Sequence, residues 1–190
     1  MSQVPDTFGC IKSTIKVYAG HYFDLQRPNP DDVDIETIAH VLSRICRYGG
    51  HCPQFYSVAE HCLQCARLAT LDGLSVDAVR AVMLHDAAEA YIGDMVKPLK
   101  VMIPQYQEIE SLVELAIDRK FNCKFDHYSE TIKKYDRAML KAEKTAMWPD
   151  DAEHWAGFET IPLVRVQLRY WTPHEANDEF LKAWSELSCN

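Results

Sequence analysis

Between Leu84 and Asp94 the chain reads Leu-His-Asp-Ala-Ala-Glu-Ala-Tyr-Ile-Gly-Asp, which sets His85, Asp86, Glu89 and Asp94 inside an otherwise apolar helix end. An isolated buried charge is costly enough that such groups are normally paired or bound to metal. Any fold open to this chain must therefore bring partners, or a cation, to this point. At helical spacing Asp86 and Glu89 are i,i+3 neighbours and His85 and Glu89 are i,i+4, so an imidazole and two carboxylates converge on one rim. The competing reading is a hydrogen-bonded core pair or an exposed helix end, and the His-Asp dipeptide alone does not decide between them.

The flanking sequence is periodic and helical. Pro28, Pro30 and the acidic run Asp31, Asp32 and Asp34 lead into a helix carrying Ile35, Ile38, Ala39, Leu42 and Ile45, which stops near Gly49-Gly50. Ser57 to Glu60 reads as a capping box that opens a helix with Val58, Cys62, Ala66 and Ala69 on one stripe and His61 beside it. Ser75 caps the next helix, which runs through Val79, Val82 and Met83 into the His-Asp stretch until Gly93 and Pro98 interrupt it. Pro104 opens a helix with Ile109, Leu112, Val113, Ala116 and Ile117 on one side. Ser129 caps another, in which Ile132, Asp136, Met139, Leu140 and Glu143 recur with helical period. Asp136 there occupies an apolar-face position, and its ordinary explanation would be an ion pair with Arg137 or Lys133. Trp148 to Pro162 reads as a long loop, of a kind that often borders a site. Thr172 to Glu175 combines a capping box with Pro173 at the first helical position and starts a last helix through Phe180, Leu181, Trp184 and Leu187. Residues 11–25 alternate weakly around Ala19-Gly20, as a short hairpin or irregular extension would.

A chain of 190 residues fits one domain. Its formal charge of −8 argues against coating a nucleic acid polymer or an anionic membrane, so an anionic ligand would need locally focused Lys and Arg. Seven cysteines show no zinc-finger or disulfide-framework spacing, no signal peptide or long apolar span is evident, and the expectation is a reduced, cytoplasmic protein. Cys62 and Cys65 then read as small buried apolar residues.

His61, then His85-Asp86, then Asp136, each on a separate predicted helix, reproduce the H…HD…D order of the HD-domain metal-dependent phosphohydrolases, and the chain resembles that superfamily over residues 35–145. Glu89 and Asp94 stand at the spacing found in its bacterial 5′-deoxynucleotidases. Arg47 to His51 followed by Tyr56 to His61 looks like the compact phage members, among them dATP triphosphohydrolases. The resemblance implies an all-α, compact helical bundle spanning 1–190 as a single domain. It implies a divalent transition ion, Co, Mn, Zn, Fe or Ni, on His61, His85, Asp86 and Asp136, with a second ion near Glu89 and Asp94 conceivable. Glu89 would act as base or orienter of the attacking water and Asp94 as its partner or as acid toward the leaving oxygen. Arg47 and Lys100 match phosphate-contacting cations of the family, Lys133 a lysine of the triphosphohydrolases, and Tyr48 an aromatic position that stacks on sugar or base.

The implied activity is hydrolysis of a small deoxynucleotide, as a dNTP triphosphohydrolase or a 5′-deoxynucleotidase, in the cytoplasm (the host's, for a phage-encoded chain) and in a homo-oligomer. Two other classes stay open at this point. One is a catalytically silent module that binds nucleotide or metal as a sensor or subunit, although no ligand position is lost here. The other is a structural helical protein whose charges form buried networks only. The additional motifs expected for guanosine polyphosphate or cyclic-dinucleotide hydrolysis are not evident.

Overall fold

Apolar residues recurring every three to four positions close into helices, and the computed structural model, which describes residues 13–153, 155 and 157–189, is mostly helical with one small sheet. The hairpin pairs β1 (Thr14–Lys16) with β2 (Tyr22–Asp24) antiparallel, with Ile15 opposite Phe23. Gly20 turns it at φ 90°, and Phe23 is buried against the Tyr91 ring at 4.2 Å. The expected extension is thus a hairpin over 14–24, while Ile11 and Lys12 lie outside the described residues.

Helix α1 (Ile35–Leu42) is capped by Asp34, whose carboxylate accepts from the Thr37 backbone N–H at 2.6 Å. It ends well before Gly49-Gly50, contrary to the periodicity, because Ser43 and Arg44 both donate side-chain hydrogen bonds to the His40 carbonyl at 2.8 and 2.7 Å. Ile45 and Cys46 then cross to the start of the next helix, where Val58 N–H donates to the Ile45 carbonyl and Cys46 bridges Ser57. Residues 47–56 are left as a loop standing on that helix.

The central helix, α2 (Val58–Leu71), packs against α3 (Val76–Met83), α7 (Ser129–Met147) and α8 (Pro173–Ser188). Every residue from Val58 to Ala66 is buried, as in a helix enclosed on all sides. Its polar side chains must then find partners inside the protein. Ser57 caps it as expected, accepting from Glu60 N–H at 3.1 Å, but the reciprocal half of the capping box does not form. The Glu60 carboxylate instead accepts the backbone N–H groups of Arg169, Tyr170 and Trp171 at 2.5, 3.2 and 3.0 Å. Tyr170 sits at φ 52°, a left-handed conformation that turns successive N–H groups toward one anion. Gln64 donates to the Gln167 carbonyl at 3.3 Å, so two polar side chains of α2 fasten the extended segment that precedes α8.

The His-Asp stretch does not continue the preceding helix. Helix α3 ends at Met83, Leu84 to Ala88 form turns, and α4 (Glu89–Ile92) follows as a single turn. Ala87 N–H donates to Leu84 and Glu89 N–H to Asp86, each three residues back at 3.0 Å, so the chain is wound tighter than an α-helix. Helix α5 (Lys97–Met102) and α6 (Pro104–Phe121) come next. On α6 Val113, Ala116 and Ile117 are buried with Glu110, whereas Leu112, expected on the same side, is exposed. Helix α7 starts at Ser129 itself, after an N-cap Tyr128 that makes no side-chain cap bond, so the expected serine cap is absent. The capping box of α8 forms fully between Thr172 and Glu175. No helix among the described residues is long and apolar enough to cross a membrane.

Candidate metal centre

The fully buried His61, placed by α2, presents its two ring nitrogens to two different sets of groups. Nδ1 lies 2.6 Å from Glu143 Oε1, an acceptor, so that nitrogen carries the proton. Nε2 then faces Asp136 Oδ1 at 3.4 Å, Cys65 Sγ at 3.6 Å and Asp86 Oδ2 at 3.7 Å. His85 repeats the arrangement. Its Nδ1 donates to the Val82 carbonyl at 2.8 Å, while Nε2 lies 3.2 Å from Asp86 Oδ2. The tight turns after Met83 bring this about, since they fold His85 back onto the last turn of α3. With Nδ1 engaged as donor, both imidazoles direct Nε2 into the same space, where it could serve a metal ion as ligand. His85 Nε2 is buried and makes no hydrogen bond, which leaves it available to a cation.

His61, His85, Asp86 and Asp136 are therefore brought together from α2, the turns before α4, and α7, as the resemblance to the H…HD…D order implies. Asp136 is the most open of the four, its side chain 39% exposed against 23% for Asp86. Two thiols lie beneath. Ligand atoms of His61, Cys65 and His85, and of Cys62, His85 and Asp86, each fall within 4.8 Å of one another. Cys62 and Cys65, expected to be plain packing residues, are buried as such but also stand at ligand distance. Burial pushes both thiols up, Cys65 the further, which keeps the sulfurs protonated in the metal-free protein.

Glu143 organises the floor of the site. Tyr48 and Tyr56 donate to its carboxylate at 2.5 and 2.9 Å, His61 takes a third bond, and Arg47 Nη2 lies 3.5 Å away. Burial acts to raise this carboxyl, but Arg47 and His61 outweigh it and hold it at about 2. The other terminal guanidinium nitrogen, Arg47 Nη1, lies 3.4 Å from Asp86. Tyr48 reaches Glu143 from a left-handed backbone at φ 59°, beside Gly49 at φ 60° and Gly50 at φ 81°. A non-glycine residue held there marks a conformation imposed by its surroundings. The Tyr48 ring is met edge-on by Trp148 at 5.2 Å, so the long 148–162 loop does border the site. His154 and Ala156 of that loop lie outside the described residues.

Carboxylates crowd the rim of the site. Desolvation, then Asp86 and Asp94, raise the Glu89 carboxyl well above the usual range; Glu89 is buried and its Oε2 has no hydrogen-bond partner. Asp94 is raised mainly by burial, with Arg47 pulling the other way. Asp86 is held far below the usual range, because His85, His61 and Arg47 overcome the penalty of burial. Lys100 stands at the edge, paired with Glu110 at 2.5 Å. Lys133, expected to reach the same pocket, instead pairs with Glu130 in solvent at 2.8 Å and lines a separate cleft beside Asp72 and Lys134. It lies on the outward side of α7, where a long exposed side chain takes the nearest i−3 carboxylate. A larger cleft, about 670 Å³, opens between α2, α8 and residues 165–171 and contains none of the four ligand candidates.

Glu114, one turn beyond Glu110 on α6, is a further titrating group that the sequence does not mark. Burial, with Glu110 adding to it and Lys100 opposing, pushes its carboxyl up to about 7. A carboxyl raised on folding favours the folded state below its unfolded value and loses that advantage as pH rises through about 7. Glu114→Gln is accordingly expected to stabilise the protein at pH 8, by up to about 3 kcal/mol, and to leave its stability unchanged near pH 4. Thermal denaturation of both proteins across this range tests it, and an equal difference at both ends would disprove the linkage.

No family model matches the chain. It is 34% identical over 177 residues to the Escherichia coli (strain K12) protein named "Uncharacterized protein YfdR", covering 93% of this chain and 96% of that protein. It is also 31% identical over 156 residues to an uncharacterized protein of Rhodobacter capsulatus, covering 80% of this chain and 77% of the relative. With that identity running nearly end to end in both partners, the chain belongs to the family of YfdR.

Proposed function

We propose that this chain is a divalent-metal phosphohydrolase of the HD-domain superfamily that acts on a small deoxynucleotide. The observation that supports the reading most is the matched pair of imidazoles, each tied at Nδ1 and each turning Nε2 toward Asp86. His61, His85, Asp86 and Asp136 would hold the ion, and two imidazoles with two carboxylates suit Mn, Fe, Co, Ni or Zn. Such an ion supplies Lewis acidity toward a phosphoryl oxygen and toward water.

The chain's own residues do the rest. Glu89 offers a carboxylate oxygen free of hydrogen bonds as acceptor for a proton from water, and Asp94 orients that water or protonates the leaving oxygen. A second ion between these two carboxylates belongs to the same reading. Arg47, already poised between Asp86 and Glu143, and Lys100 at the rim supply positive charge for substrate phosphate. Tyr48 presents a ring beside them for sugar or base. A cytoplasmic homo-oligomer fits this role, and Val101 and Met102 on α5 provide exposed apolar surface for association.

Product analysis after incubating the purified protein, supplemented with Mn or Co, with all dNMPs and dNTPs tests the proposal, with Asp86→Ala as control. Orthophosphate from dNMPs identifies a nucleotidase. Tripolyphosphate with deoxynucleoside identifies a triphosphohydrolase. Stoichiometric metal with neither product would reduce the chain to a silent binding module.

A further inference from the structure

Cys46 and Cys52 bracket the loop that carries Arg47 and Tyr48, and their sulfurs lie 3.4 Å apart. Both are free and half-buried. The other described cysteines offer no comparable pair open to solvent: Cys62, Cys65 and Cys123 are buried, and Cys189 stands alone at the surface after α8. Cys46 is anchored by its bridge to Ser57, and the neighbouring Arg47 N–H donates to the Tyr56 carbonyl at 2.9 Å. The far end of the loop returns as His51 N–H donates to the Tyr48 carbonyl at 3.1 Å, and the Cys52 thiol faces the Arg47 carbonyl at 3.8 Å. Left-handed backbone at Tyr48, Gly49 and Gly50 produces this return. A disulfide needs sulfurs about 2.0 Å apart, so closure asks for a movement of little over about 1 Å between side chains already in contact.

We propose that Cys46 and Cys52 are a redox-modification site, a dithiol that exchanges with a low-molecular-weight disulfide to close a covalent ring around the Arg47-Tyr48 loop. One cysteine thiolate attacks a sulfur of the small disulfide, expelling one small thiolate and forming a mixed disulfide. The second cysteine thiolate attacks the protein sulfur of that intermediate and expels the other small thiolate. The two protein thiols are oxidised, the small disulfide is reduced to two thiols, and the two cysteine protons end on the two leaving groups. The ring spans residues 46–52 and fixes Arg47 and Tyr48 where they now stand, against Asp86 and Glu143. Burial, and after it Cys46, push the Cys52 thiol up to about 11, so exchange at neutral pH is slow.

The test is to hold the full-length protein for several hours with oxidised glutathione, quench it in acid, alkylate free thiols and map tryptic peptides. Cleavage after Arg44, Arg47 and Arg67 separates Cys46 from Cys52. The expected result is peptide 45–47 linked to peptide 48–67, released by dithiothreitol and absent from Cys52→Ser and from Cys46→Ser. The oxidised wild type is also expected to melt about 5 °C higher than the reduced protein, with no such rise in either variant. A link that persists in Cys52→Ser would assign it to Cys62 or Cys65 and overturn the proposal. So would separate glutathione adducts on the two cysteines, or full alkylation of both. None of these readouts uses turnover, so the proposal stands or falls independently of the phosphohydrolase reading.

Discussion

Asp86→Ala is expected to emerge from dialysis without bound transition metal and without detectable turnover, while keeping its helical circular dichroism. One oxygen, Asp86 Oδ2, lies 3.2 Å from His85 Nε2, 3.7 Å from His61 Nε2 and 3.4 Å from Arg47 Nη1. Its removal takes away the group on which both imidazoles converge, yet leaves Arg47 paired with Glu143 and the core intact. Glu89→Gln separates ligand from base. It keeps the volume and an oxygen at the position but no longer accepts a proton, so metal content is expected to match the wild type while kcat falls roughly 10²- to 10⁴-fold. Metal analysis by plasma mass spectrometry beside steady-state kinetics reads both. Loss of metal from Glu89→Gln would instead place Glu89 among the ligands, and full activity in Asp86→Ala would remove the metal reading altogether.

The four candidate ligands were legible mainly through the H…HD…D order that they share with a known superfamily, and only in part through patterns along single elements. Asp136 is a carboxylate at an apolar-face position of α7, and His85 and Asp86 stand in an otherwise apolar stretch where burial makes charge costly, but His61 lies beside the apolar stripe of α2 rather than on it. Helix boundaries were less legible. The apolar period runs on through Ile45 and through Ala87-Ala88, but side chains of Ser43 and Arg44 close α1 early, and turns with i→i+3 bonds replace the helix after Met83. Propensity does not register either event, since both depend on where a carbonyl finds its donor. Partner choice was less legible still. Glu60 looks like half of a capping box, and only the path of residues 169–171 reveals that it binds a distant backbone. Glu143 did carry a signal that went unused: it lies seven residues after Asp136, two turns along the same face of α7. A second carboxylate in that register asks for a cation or donors just as the first does. The Cys46–Cys52 pairing and the raised Glu114 had no local signature, because each arises from a neighbour brought close by loop or helix packing.

Glu143→Ala is expected to cost the most stability of any single substitution in the site, about 3–5 kcal/mol, the range for breaking a buried charge pair from one side. The magnitude follows from what is stranded. Arg47 keeps only its 3.4 Å contact to Asp86, the hydroxyls of Tyr48 and Tyr56 lose their acceptor, and His61 loses the bond that fixes its proton on Nδ1. Tyr48 is also held in its left-handed backbone by that bond, so the Arg47–Gly50 turn is expected to loosen with it. A domain of this size would melt roughly 10 °C or more below the wild type. Glu143→Gln discriminates the role of charge from that of shape. Its amide oxygen still accepts from His61 or a tyrosine, so much of the stability should return, but Arg47 loses one of its two charge partners and His61 the anion at Nδ1. Metal affinity in that variant is therefore expected to remain reduced by about 10- to 100-fold, as when the carboxylate behind a ligating imidazole is lost. Calorimetric titration with Mn or Co alongside thermal melts measures the two effects separately. Recovery of both in Glu143→Gln would mean that Glu143 serves only as a hydrogen-bond acceptor, and that the imidazole is oriented by packing on α2 rather than by the carboxylate beneath it.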